Sequence, residues 1–158
     1  FFAIYLVIIR SPEFDEPVDG MIYMISAALG FAAIENVLTM FNLVPDGIDV
    51  AFKTLALRFV GATLLHALAS GLIGYFLAMA WFFREHKKKL IMFGIVLATL
   101  FHMAFNMLIS SAQTSADPTV GLVYTTFLLI TLAFLVSILF DKIKERHIHS
   151  KYPIPNIQ

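Results

Sequence analysis

Five residues in this chain have the chemistry to move a proton, bind a metal or hold an oxyanion, yet stand in otherwise apolar stretches. They are Glu35, Asn36, His66, His102 and Asn106. A carboxylate and two imidazoles, here Glu35, His66 and His102, form a set that can ligate zinc and leave one position for water. Zinc so held acidifies its water and polarises a carbonyl. Without a metal, Glu35 can serve as a general base toward water, with His66 as its helper. Asn106 brings an amide donor suited to an oxyanion. Asn36 stands beside Glu35, and Ser70 lies one helical turn from His66, so both can support the set. The same residues suit three other uses: a proton relay or ion pathway, haem held between His66 and His102, or an inert hydrogen-bond network between helices.

The elements that carry them are apolar and long. Of 158 residues, 59% are hydrophobic and only 14% charged. Soluble domains run at roughly 45–50% and about 25%. That balance predicts an all-α, polytopic transmembrane bundle in a single domain, 1–158, solvated by lipid. Four apolar stretches approach the roughly 20 residues that a spanning helix needs. They are Met21–Val44, Leu55–Phe83, Leu90–Ser111 and Thr119–Phe140. A shorter stretch, Phe1–Ile9, reads as the tail of a further span whose beginning lies upstream. The formal net charge of zero lends nucleic-acid binding no support, and the absence of cysteine excludes thiolate metal sites and disulfides.

Lys and Arg set the expected orientation. The loop 84–89 carries Arg84, Lys87, Lys88 and Lys89, and the tail carries Lys142, Lys144, Arg146 and Lys151. Both are expected on the cytoplasmic side of a bacterial or archaeal cell membrane, together with the connector 10–20. The loops 45–53 and 113–118 then lie outside. The basic loop is read first as this topology signal and second as a contact for anionic lipid. Arg58 is read as a snorkelling residue near the membrane edge. His86, His147 and His149 lie in solvated segments and are not expected to bind metal.

Alternating span directions bring Glu35, His66 and His102 to within about one turn of the same depth, in the outer half of the bilayer. Asn106 follows His102 by one turn on the same face. Small residues four apart let helices approach closely: Ala28 and Ala32, Ala67 and Gly71, Ser70 and Gly74.

Three motifs sharpen the reading. They are Phe31-Ala-Ala-Ile-Glu35-Asn36, His66-Ala-Leu-Ala-Ser70-Gly71 and His102-Met-Ala-Phe-Asn106. In that order, each on an expected span, they resemble the PrsW family of intramembrane proteases, related to CAAX-prenyl and bacteriocin-processing membrane endopeptidases. The likeness covers about 14–106. It implies a membrane-embedded peptidase that cuts a membrane-anchored protein, such as an anti-sigma factor. It also implies that Glu35, His66, His102 and Asn106 are the active-site residues, supported by Asn36 and Ser70. The family's paired-glutamate motif, E-E-x-x-K, does not occur in this sequence. It is expected upstream of Phe1, and the fragment alone would then be inactive.

Overall fold

The computed structural model describes Tyr5, Val7 and residues 11–151, without the side chains of 149–151. The expected tail of an upstream span, Phe1–Ile9, and the expected proline-broken coil after Lys151 lie outside the described residues. Among the described residues, five α-helices follow one another from Asp19 on: α1 (Asp19–Leu43), α2 (Ile48–Val60), α3 (Ala62–Phe82), α4 (Lys87–Thr114) and α5 (Thr119–Lys151). Short 3-10 turns at Val44–Asp46 and Arg84–His86 join α1 to α2 and α3 to α4. Counting α2 and α3 together, four helical segments are long and apolar enough to cross a membrane. The chain is an integral membrane protein of all-helical architecture.

Lipid rather than water explains which side chains face outward. Phe41, Phe59, Phe127 and Phe134 are each more than two-thirds exposed. A soluble chain would bury such rings against its core. The buried cluster is small and mostly aliphatic: Met21, Leu65, Leu72, Ala78, Phe105, Leu129, Leu132, Val136 and Ile143. Several hydroxyls in the spans meet their needs on their own helix. Ser26, Thr39, Thr99, Thr125 and Thr126 each donate to the carbonyl four residues earlier, at 2.8–2.9 Å.

Three boundaries differ from the sequence reading. The expected loop 45–53 is helical from Ile48 onward. The chain reverses instead at Val44–Asp46 and Gly47, whose φ of 125° is open to glycine and strained for other residues. Residues 55–83, read as one span, are interrupted at Gly61. The 4-residue backbone bonding nevertheless runs through it, from Gly61 N–H to the Leu57 carbonyl and from Leu65 N–H to the Gly61 carbonyl. The last helix runs on past Phe140 to Lys151. Charge marks where lipid ends, whereas a helix ends only where a breaker or missing contacts stop it. No proline or glycine occurs between Asp141 and Lys151.

The most extensive interface is α1 with α3, followed by α3 with α4. Small residues set it, as the spacing predicts. Gly74 packs so closely on α1 that an added Cβ would fall 2.6 Å from both the Gly20 carbonyl oxygen and Met21 Cα. Ala28 and Ala32 are buried. The segments expected on one side of the membrane do meet at one end of the bundle. The Arg146 guanidinium lies 5.5 Å from the ring centre of Phe82 and 5.1 Å from that of Phe83. Phe14 of the connector meets Trp81 edge-on at 5.4 Å. His147 Nε2 approaches Glu16 Oε1 at 3.8 Å, too far for a hydrogen bond. At the opposite end Asp117 accepts from Thr119 as α5 begins, and those bonds hold its carboxyl below the usual carboxylate range.

The glycine contacts give a direct test. Gly74→Ala forces α1 and α3 apart and should lower stability by about 1–3 kcal/mol. Gly30→Ala has open space around its new methyl group and should leave the melting temperature unchanged or raised. Thermal unfolding of the two variants in the same detergent compares them.

Candidate functional site

Three helices, α1, α3 and α4, carry Glu35, His66 and His102 at similar distances along their lengths. Glu35 is sixteen residues from the start of α1, His66 sixteen from the end of α3, and His102 fifteen from the start of α4. At 1.5 Å per residue all three lie about 22–24 Å from the basic end of the bundle. Glu35 meets His66 and His66 meets His102, so the three residues lie together in space.

Side-chain contacts then close the arrangement. Glu35 Oε2 accepts from His66 Nε2 at 3.0 Å and from Arg58 Nη2 at 3.0 Å. An ionised carboxylate can only accept, so the first contact puts a proton on His66 Nε2. The rings of His66 and His102 lie 5.1 Å apart. Asn106 Nδ2 donates to His102 Nδ1 at 3.2 Å. Turning that amide over would make Oδ1 the acceptor and bare Nε2 as a potential ligand atom. Phe31 meets the His66 ring edge-on at 5.4 Å. His66, Ser70, His102 and Asn106 line an open cleft of about 880 Å³ between α3 and α4. Its remaining walls are largely apolar, including Ile73, Met103 and Met107. Glu35 stands at its edge through His66 and is 40% exposed.

Asn36 is the buried member, at 7% exposure. Its Nδ2 donates to Thr63 Oγ1 at 3.0 Å, and its Oδ1 accepts from Arg58 Nε at 3.2 Å. Arg58 thus bridges two consecutive residues of α1. The snorkelling reading of Arg58 is incorrect: its head turns inward because Glu35 and Asn36 offer acceptors that lipid does not. Thr63 was also missed. The sequence held one clue to Arg58. It is the lone arginine within the apolar runs, two turns from His66, and Glu35 is the lone carboxylate opposite.

The profile of the PrsW family, described as "PrsW family intramembrane metalloprotease", matches residues 1–138. The chain belongs to the PrsW family. Among curated relatives, it is 33% identical to the Protease PrsW of Oceanobacillus iheyensis over 135 residues, which is 85% of this chain and 54% of that protein. It is 30% identical to the Protease PrsW of Geobacillus kaustophilus over 71% of this chain and 47% of that protein. For the Protease PrsW of Bacillus subtilis the identity is 28%, over 70% of this chain and 48% of the relative. The chain spans about half the length of these relatives. No solved structure matches it.

The PrsW family's description as metalloproteases implies a metal. The donor types of Glu35, His66 and His102 fit zinc. Two of them are also suitably close, because ligand atoms on a tetrahedral zinc at 2.0–2.1 Å stand about 3.3 Å apart. The fit stops there. Among the described residues no three His, Cys, Asp or Glu side chains gather at one point. His66 Nε2 already carries the proton shared with Glu35, and Arg58 supplies positive charge to the same oxygen.

Breaking the bridge has a readable cost. Asn36→Ala leaves Thr63 Oγ1 without its donor and Arg58 Nε without its acceptor, and should destabilise the protein by about 1–3 kcal/mol. Thr39→Val removes a hydroxyl bonded only within its own helix and should change stability by less than about 1 kcal/mol. Melting temperatures of the two variants in detergent compare them.

Proposed function

We propose that Glu35, His66, His102 and Asn106 form the proteolytic centre of an intramembrane endopeptidase that hydrolyses a peptide bond of a membrane-anchored protein. The observation that carries this reading is the contact of Glu35 with His66, beside His102 and Asn106, at one depth in an open cleft. Membership of the PrsW family supports it. An anti-sigma factor is the substrate type that the motif resemblance suggests. The basic end of the bundle, with the end of α5, faces the cytoplasm on the Lys/Arg rule, which puts the cleft in the outer half of the membrane.

The residues divide the work as follows. Glu35 is the base toward a water at the cleft edge, and among the described residues its Oε1 has no hydrogen-bond partner. The proton it takes stays on the Glu35 carboxyl, which the His66 Nε2–H holds in place at 3.0 Å, and passes from there to the leaving amine. The amide of Asn106 donates to the oxygen of the attacked carbonyl, and Ser70 lines the same wall. Asn36 and Arg58 hold the carboxylate in place. Apolar walls exclude bulk water and strengthen each of these interactions.

A second reading rests on the family's description as metalloproteases: a zinc held by Glu35, His66 and His102, which requires these side chains to leave the contacts described above. Bound there, it would supply an acidified water and a polarised carbonyl.

The test uses the full-length protein with a membrane-anchored reporter substrate. Glu35→Gln and His66→Ala should each lower kcat/KM by about 10²–10⁴. Asn106→Ala should lower it by about 10²–10³. Wild-type cleavage by Glu35→Gln, His66→Ala and His102→Ala alike would sink the proposal. Metal content separates the two readings. One zinc per chain, lost in His102→Ala, supports the metal site, whereas cleavage that persists after chelation supports the metal-free one.

A further inference from the structure

A second cavity lies at the opposite, basic end of the bundle, away from the Glu35 site. It measures about 390 Å³ and is lined by Phe14, Leu77, Ala80, Trp81, Arg84 and Lys87. That volume is in the range of small-ligand pockets, roughly 300–1,000 Å³.

Its walls divide by chemistry along the helix axis. Leu77 and Ala80 are buried and form an apolar floor toward the middle of α3. Phe14 and Trp81 close on each other edge-on at the level where the helix ends. Tryptophan at such a level marks the boundary between hydrocarbon and headgroups. Arg84 and Lys87 stand just beyond, on the 3-10 turn and the first turn of α4. Among the described residues, neither has a carboxylate within 4 Å. This holds although an acidic connector passes beside them. Its Asp19 accepts from the Glu16 N–H, and Glu16 reaches toward His147. Glu13 and Asp15, exposed on either side of Phe14, do not line the cavity. Lys87 also lies 5.5 Å from the centre of the Tyr5 ring.

An apolar floor, an aromatic collar and two cations unpaired with carboxylate, in that order, match one kind of molecule. We propose that this cavity is a binding site for an anionic phospholipid. Its phosphate lies between Arg84 and Lys87, and the upper part of an acyl chain runs over Leu77 and Ala80. Arg84 offers paired donors to the phosphate oxygens, and Lys87 adds a compact charge. Bacterial-type anionic lipids such as phosphatidylglycerol fit this chemistry, and phosphatidylcholine, with no net charge, does not. The site needs neither the proteolytic reading nor the metal.

The experiment counts bound lipid on the purified full-length protein by native mass spectrometry, in micelles containing equal phosphatidylglycerol and phosphatidylcholine. Wild type should retain phosphatidylglycerol selectively. Arg84→Gln with Lys87→Gln should weaken that retention about tenfold or more, since each cation near the surface contributes. Lys88→Gln with Lys89→Gln removes the same charge from residues outside the cavity and should retain the lipid as wild type does. Equal loss in both double variants would reduce the effect to diffuse surface charge and overturn the site. No preference for phosphatidylglycerol in wild type would overturn it as well. Displacement of the lipid by millimolar inorganic phosphate would show that the pocket takes free phosphate rather than lipid, whereas resistance to it supports a site that also reads the acyl chain.

Discussion

A single carboxylate oxygen, Glu35 Oε2, accepts from an arginine and a histidine at 3.0 Å each, within a bundle whose outer surface is built for lipid. Charged side chains at the centre of a spanning helix cost about 2.5–3.5 kcal/mol on insertion scales. Neither Glu35 nor Arg58 would be tolerable alone at this depth. Together they nearly cancel in charge, and Asn36 accepts a second Arg58 donor, Nε–H. That requirement ties α1, α2 and α3 together at one height. It also leaves His66 with its ring turned to His102 on α4. The polar centre therefore specifies which faces of four helices look inward, a job that apolar packing between lipid-like surfaces does poorly.

Much of this was legible in the sequence because hydropathy and spacing report on lipid directly. The four spans followed from run lengths, and the shared depth of Glu35, His66, His102 and Asn106 followed from counting residues along them. The His102–Asn106 contact followed from their four-residue spacing. Arg58 was misread because edge position and side-chain length make snorkelling cheap, and nothing in a one-dimensional reading shows an acceptor waiting on the next helix. The same blindness hid Thr63. The ends of α2 and α5 were missed for a different reason. The stretches 48–54 and 141–151 carry charged residues but no proline or glycine, and hydropathy cannot distinguish a helix leaving the membrane from a helix that stops.

The two ends of the bundle are built differently. At the basic end, connector, loop and last helix are held by ring and cation contacts: Phe14 on Trp81, Arg146 on Phe82 and Phe83. Such contacts suit a boundary where side chains have apolar bodies and wet tips. At the other end the chain turns through Gly47 and through Asp117, with backbone geometry and a local hydrogen bond as the fastening. The cleft opens between α3 and α4 on the way to that second, more lightly fastened end.

Gly61 has a mechanical consequence. Arg58 stands three residues before it and His66 five after, and both grip the same oxygen of Glu35. Two rods joined at a glycine and clamped to one point on a third make a lever. Phe105, lying 3.5 Å from where a Gly61 methyl would sit, is its fulcrum on α4. With both donors held by one oxygen, the angle at which α2 meets α3 is fixed by a side chain of α1 rather than by the glycine between them.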